Sequence, residues 1–468
     1  MMNHPPQITS DTAAYERHGV SFREAFWVWV RVAALSFGGP AGQIAVMHRI
    51  LVEEKRWISE TRFLHALNYC TLVPGPEAHQ LAVYIGWLLH RTRGGLVAGL
   101  LFIFPGLIAL GVLSWVYATY GNVGYVQAFF FGLKAAVLAV VLEAVLRVGR
   151  RALKTRLMVA VAALSFVAIF IFAVPFPLLI IAAALIGLVG NRMGKIAPRS
   201  TAGNGATEQD GAPLAAIDAA FDIEIPEHVR PSHSRTIKVC LIGLLLWLGP
   251  LFVFLWTIGP DSVFTHITTF FSKMAVLTFG GAYAILSYVA QQAVDHYHWL
   301  APGEMMAGLG MAETTPGPLI SVVQFVGFMA AFRQPGMLDP VLAGTLGGIL
   351  AKWATFAPSF LFIFIGAPYV EAVRNNKALS AVLSTIMAAV VGVILNLAVW
   401  FALHTLFGEI NVLRVWGMTL QVPVVSSLDL WSVLLSGAAI LALFRFHLGM
   451  MTTLAGCCLV GIAIHLLK

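Results

Sequence analysis

The chain has 468 residues, of which 59% belong to the set AVILMFWYC and only 11% are Asp, Glu, Lys or Arg, against about 25% charged residues in ordinary globular domains. Its mean hydropathy of +0.84 excludes a soluble chain, and 43 Gly and 22 Pro suit spanning helices, where both are commoner than in soluble ones. The excess of 29 Lys and Arg over 22 Asp and Glu reads as membrane orientation, and no segment remains for a domain that would bind nucleic acid.

In chain order, residues 1–21 read as a cytoplasmic tail and not as a signal peptide, because they carry Asp11, Glu16 and Arg17 and no apolar run. Segments near the roughly 20 apolar residues that cross a bilayer fall at 24–40, 63–89, 95–119, 125–146, 157–173, 178–190, 237–258, 264–290, 304–331, 341–367, 379–407, 427–444 and 449–467. The predicted fold is therefore all-α and polytopic, with about 13 transmembrane helices. Residues 191–236 turn to Gly, Ala, Pro, Asp and Glu and read as a flexible polar cytoplasmic linker. Cys70, Cys240, Cys457 and Cys458 lack CxxC spacing and read as structural thiols.

The two sides of that linker repeat each other. Phe37-Gly38-Gly39 recurs as Phe279-Gly280-Gly281, Trp57 as Trp299, and Pro74-Gly75-Pro76 as Pro316-Gly317-Pro318, each 242 positions later. Gly94-Gly95, Pro105 and Ala135-Ala136-Val137 return as Gly347-Gly348, Pro358 and Ala388-Ala389-Val390 at an offset of 253, which places an insertion near Arg333–Asp339. The expected division is a first repeat over 22–190, the linker, a connecting helix over 237–258 and a second repeat over 259–468. Arg91, Arg93 and the Arg147, Arg150, Arg151, Lys154, Arg156 cluster mark inner loops, whereas the uncharged turn at Tyr120–Gly124 reads as external. Its counterpart, Tyr369–Lys377, carries Arg374 and Lys377 and belongs inside. The repeats are expected to be inverted, as in secondary transporters.

Each repeat has a helix interrupted near its centre, by Pro74-Gly75-Pro76 and by Pro316-Gly317-Pro318. Paired prolines remove backbone donors and stop the helix, and broken helices at membrane depth survive where they are buried in protein or line a cavity. Half-helices starting at Pro76 and Pro318 would aim free N–H groups at an anion. The turns at Gly38-Gly39-Pro40 and Gly280-Gly281 are expected either to let a first helix approach closely or to bend it back as a hairpin.

Ionisable residues inside spans are costly and are functional candidates. These are Arg31, Glu77, His79, Lys134, Lys273, Glu313 and Lys352. Lys134, Lys273 and Lys352 are candidates to balance a divalent anion, and Glu77 and Glu313 to carry a proton. Each has an internal ion pair or a snorkelling side chain as its alternative reading. No HExxH, GxSxG or Walker sequence occurs, and no histidine has metal-ligand companions at useful spacing, so neither cofactor, metal nor enzymatic activity is expected. Association of two chains is left open.

Phe37-Gly38-Gly39-Pro40-Ala41-Gly42-Gln43-Ile44, Arg56-Trp57-Ile58-Ser59-Glu60, Leu72-Val73-Pro74-Gly75-Pro76-Glu77-Ala78, Leu277-Thr278-Phe279-Gly280-Gly281-Ala282-Tyr283 and Glu313-Thr314-Thr315-Pro316-Gly317-Pro318-Leu319 resemble the chromate ion transporter family in its long two-domain form. The resemblance covers nearly everything outside the tail and the linker. It implies a bacterial inner-membrane protein that exports chromate, driven by the membrane potential or a proton gradient, and it adds Pro40 and Gln43 to the substrate-binding set. Chromate and sulfate are both tetrahedral dianions, so a sulfate transporter is the alternative. His79 departs from the family pattern, and Leu319 stands where the first repeat has Glu77.

Overall fold

The computed structural model describes residues 19–193, 215–218, 227–279, 281–370, 377–415 and 418–467. Helix α1 (Phe22–Leu35) starts at Ser21, whose hydroxyl accepts the Glu24 N–H at 3.1 Å, and buries Ala25, Val28, Trp29 and Val32 along one stripe. After a turn, α2 (Gly39–His48) begins with Pro40 in its first turn and runs on as a π-helical stretch over Arg49–Glu54. Lys55 reaches Glu24 at 2.8 Å and Arg31 reaches Glu54 at 2.7 Å. The start of α1 and the end of α2 therefore lie together, and the pair is a hairpin.

A second hairpin follows. Helix α3 (Glu60–Leu72), capped by Ser59, ends where Pro74 forces Val73 into extended backbone. Helix α4 (Glu77–Tyr120) has non-helical backbone at His90 and Arg91. His90 lies 5.4 Å from the Phe22 ring and hydrogen-bonds the Val20 carbonyl, so the first arm of α4 returns to the side from which α3 entered. From Thr92 to Tyr120 the second arm spans about 43 Å at 1.5 Å per residue, enough for a hydrocarbon core of about 30 Å. Helices α5 (Gly124–Ala152), α6 (Arg156–Phe170) and α7 (Phe176–Arg192) complete the first half.

Helix α8 (His233–Thr257) leads to a half built in the same order: α9 (Val263–Leu277), α10 (Ala282–Gln291) with a π-helical end, α11 (Pro302–Thr314), then a 3-10 turn and α12 (Val322–Arg333). His266 lies tilted against Tyr297 at 5.8 Å, and Arg333 joins Glu304 at 2.6 Å and the Trp299 carbonyl at 2.7 Å. These contacts close two further hairpins. Helices α13 (Pro340–Gly366) and α14 (Lys377–Leu406), the strand pair β1 (Ile410–Val415) and β2 (Met418–Pro423), α15 (Leu430–Phe444) and α16 (Met450–Leu467) follow.

The backbone repeats in detail. Arg56 and His298, 242 positions apart, both have positive φ, at 50° and 53°. A Cβ on Gly86 would lie 2.5 Å from the Gly94 carbonyl oxygen, and one on Gly327 the same distance from that of Gly347, so each half draws its second hairpin against the following long helix through a glycine pair. The halves interlock: α14 packs on α5, α6 and α7, and α4 packs on α12 and α13.

The structure adds detail to these expectations. The segments 24–40, 63–89, 264–290 and 304–331 are not continuous crossings but parts of hairpins, because a hydropathy window averages over a turn of a few residues. Among the described residues, six helices are long and apolar enough to cross a membrane, and five shorter apolar ones accompany them. The linker is not free throughout. Ala216 and Ile217 donate their N–H groups to the Arg56 and Trp57 carbonyls at 3.0 and 2.9 Å, Asp218 accepts from Ser59 N at 2.9 Å and from Arg62 Nε at 2.6 Å, and Ile217 is buried. The tail up to residue 18 and the Thr201–Asp210 stretch lie outside the described residues.

Candidate functional site at the crossing of four helix breaks

The four hairpin tips meet. Gly75 N donates to the Thr278 carbonyl at 2.8 Å, and Gly317 N donates to the Ser36 carbonyl at 2.8 Å. These two bonds are images of each other under the 242-residue offset, so each half gives one amide and takes one carbonyl. The Ser36 and Thr278 hydroxyls bond back to the Val32 and Met274 carbonyls. Gly75 and Gly317 hold φ of 133° and 110°, and a Cβ on Gly75 would lie 2.5 Å from Gln80 Nε2 and 2.7 Å from Ser359 Oγ. Both glycines are required by conformation and Gly75 also by space. Behind the second tip, Gly106 of α4 leaves room for the Pro316 carbonyl.

Of the predicted substrate-binding residues, Pro74, Gly75, Pro76, Pro316, Gly317, Pro318, Gly38, Gly39, Pro40, Gly281 and Gln43 belong to these tips or to the helix turns that begin at them. Gln43 Nε2 crosses from α2 to the Gly317 carbonyl at 2.5 Å. Gly280 lies outside the described residues. One expected role changes. The Gly75 and Gly317 amides are spent on the opposite half, which leaves the helix turns that begin after Pro76 and Pro318, already expected to face the anion and capped by no side chain. Gly38, Gly39 and Gly281 do not serve close approach, since a Cβ on any of them would meet nothing within 4 Å. They border open volume.

Buried polar atoms without hydrogen-bond partners collect around the tips: Gln43 Oε1, both His79 nitrogens, Gln80 Oε1, Glu313 Oε2, Ser321 Oγ and Ser359 Oγ. Such groups are rare in folded proteins and, where they cluster, water or a ligand completes them. His79 sits edge-on to Phe356 and Phe360 at 5.1 and 4.9 Å, and Ser321 is its counterpart in the second repeat.

The three lysines separate. Lys352 on α13 is buried, donates to Gln324 Oε1 at 3.0 Å and has no carboxylate partner among the described residues. Gln324 Nε2 in turn donates to the Leu107 carbonyl at 2.8 Å, next to Gly106 and hence beside the second tip. Lys273 is exposed on α9 and is the counterpart of Arg31. The place of Glu54, which pairs with Arg31, is taken by His296. Lys134 is not at the crossing. Its Nζ lies where a Cβ on Gly303 would come within 2.9 Å, about 16 Å of helix upstream of the second break.

Glu313 is buried one turn before the second break, and its Oε1 accepts a short hydrogen bond from the Tyr283 hydroxyl. Arg147 and Glu143, paired at 2.5 Å, are the charged groups that act on it. Glu77 opens α4 at the first break and is partly exposed. The sequence-based set omits Gln80, Gln324, Ser359 and Tyr283. The rule that singles out ionisable residues in spans reaches the first three once it is widened to neutral polar ones.

A family model described as chromate transporter matches residues 23–188 and 265–462, the two repeats in turn. The chain belongs to the chromate transporter family. It is 29% identical over 395 residues to the chromate transport protein of Pseudomonas aeruginosa, covering 83% of each chain. It is 25% identical over 397 residues to that of Cupriavidus metallidurans, covering 83% of this chain and 85% of the relative. Against the probable chromate transport protein of Synechococcus elongatus the figures are 27% over 421 residues, with 88% and 95% covered. No solved structure matches the chain.

Proposed function

We propose that this family member is a secondary active transporter that exports chromate across a bacterial inner membrane by alternating access, holding the dianion at the crossing of the four tips. The observation that carries this reading is the reciprocal pair of bonds, Gly75 N to Thr278 O and Gly317 N to Ser36 O, ringed by buried polar atoms that lack partners. The uncapped helix turns after Pro76 and Pro318 and the Lys352 ammonium supply the positive potential. Breaking the crossed bonds on one side of the tips while the other side stays packed would open the site to one face at a time. With the cationic turn Arg147–Arg156 inside, the hairpins of the first repeat enter from the cytoplasm and those of the second from outside, which makes the repeats inverted. Glu313, tied to Tyr283, and Glu77 at the opposite break are the groups for coupling to protons.

The test is chromate uptake into everted membrane vesicles. Lys352→Gln should lower the initial rate at least tenfold at equal protein level, and Lys134→Gln should leave it within about twofold. Equal rates in the two variants would remove the crossing as the binding site.

A further inference from the structure

Gln324 has both ends of its amide engaged, Oε1 by the Lys352 ammonium at 3.0 Å and Nε2 on the Leu107 carbonyl at 2.8 Å, and it is buried. The second bond decides the first. A carbonyl accepts only, so Leu107 O fixes which end of the amide is the NH2 and turns the oxygen toward Lys352, where the flipped amide would set donor against donor. Leu107 belongs to α4 of the first repeat and Lys352 to α13 of the second, so this one side chain links an ammonium to both halves. Gly111 and Gly348 leave it room: a Cβ on Gly111 would lie 3.2 Å from Nε2, and one on Gly348 3.2 Å from the Gln324 Cγ.

An ammonium has three donors and the amide takes one; no other described residue takes the remaining two. A buried ion ordinarily has a countercharge. Here its partner among the described residues is neutral; a carboxylate in the same place would still accept from Lys352 but could not donate to the Leu107 carbonyl. The counterparts of Lys352 and Gln324 in the first repeat are Gly99 and Ala82, so the cation is confined to one half.

We infer that Gln324 is a specificity-determining positioning residue, which orients the Lys352 ammonium toward the crossing and, by being uncharged, leaves its positive charge for a dianionic oxyanion. The inference rests on the proposed binding site and adds the reason why that site attracts anions. A carboxylate in place of the amide would neutralise the lysine from within and compete with the substrate.

The experiment measures chromate binding to the purified full-length protein and chromate flux in proteoliposomes for Gln324→Glu, Gln324→Met and Lys352→Gln. Gln324→Glu should weaken chromate binding at least tenfold at neutral pH and regain most of it at a pH low enough to protonate the new carboxyl, which is then shaped like the amide. Gln324→Met keeps the charge and loses the orientation, so it should weaken binding less than Gln324→Glu and show no recovery in acid. Elution as a monodisperse species excludes misfolding. If Lys352→Gln abolishes binding while Gln324→Glu binds as the wild type does, or its loss does not reverse in acid, the role of Gln324 is overturned and the site stands. Wild-type binding by Lys352→Gln would overturn both.

Discussion

Gly75 and Gly38 are both glycines at hairpin tips, and the structure assigns them different costs of replacement. At Gly38 an alanine would pay only for left-handed backbone, about 1–2 kcal/mol, because its methyl would enter open space. At Gly75, with φ at 133°, the methyl would also run into Gln80 Nε2 and Ser359 Oγ, forcing apart the tip and the helix that backs it. Thermal unfolding of the detergent-solubilised protein should therefore show a clearly larger drop in Tm for Gly75→Ala than for Gly38→Ala. The reverse order would mean that the tip does not sit against α13. Neither difference is legible in the sequence, where both residues are glycines in Gly- and Pro-rich turns. The same holds for the three lysines, which look alike in their spans and end in three environments. Burial and the presence of a carboxylate are properties of neighbours on other helices, as Gln324 is to Lys352.

At the level of elements, the interruptions were readable because proline and glycine act locally: Pro74 forces Val73 out of the helix whatever surrounds it. The return of each chain segment to its own side is readable only as one of two alternatives at the turns after the first helices, since the choice depends on contacts such as Lys55 with Glu24 and Arg333 with Glu304. The linker illustrates the same limit. Its overall polarity reads as loose chain, yet Ile217 and Asp218 dock on the turn at Trp57, and the short turn Glu227–Val229 brings His228 edge-on to Trp87 at 5.1 Å. Burial first, and the nearby Arg91 charge second, lower the His228 pKa from its ordinary value to about 4. The docked state thus favours the neutral ring. As pH falls below about 6.5 the undocked form takes up a proton that the docked form refuses until about pH 4, so docking weakens across that window as pH falls. Amide exchange itself slows in acid, so the quantity to follow is the protection factor at residues 227–229, which should fall as pH drops from 6.5 to 4, and His228→Phe should remove that fall. An unchanged fall in the variant would place the proton elsewhere.

For the molecule as a whole, the two halves are joined far more by packing than by the chain between them. Helix α14 of the second half lies against α5, α6 and α7 of the first, and α4 of the first against α12 and α13 of the second. Cleavage at a protease site inserted between residues 204 and 205 should leave the two fragments co-eluting in mild detergent, with chromate transport retained. Separation of the fragments would mean that covalent continuity, and not the interlocked interface, holds the assembly.

The crossed amide and carbonyl at the centre use main-chain atoms of one half and the equivalent atoms of the other, so they do not require the halves to differ. In the inverted arrangement proposed above, two identical chains of opposite orientation would close the same exchange. An unfused ancestor could have worked as such a pair, and the features found on one side alone, Gln43 where the other half has Ile285, and Lys352 where it has Gly99, are then what fusion made available: once two copies share one gene product, each is released from being its own mirror partner.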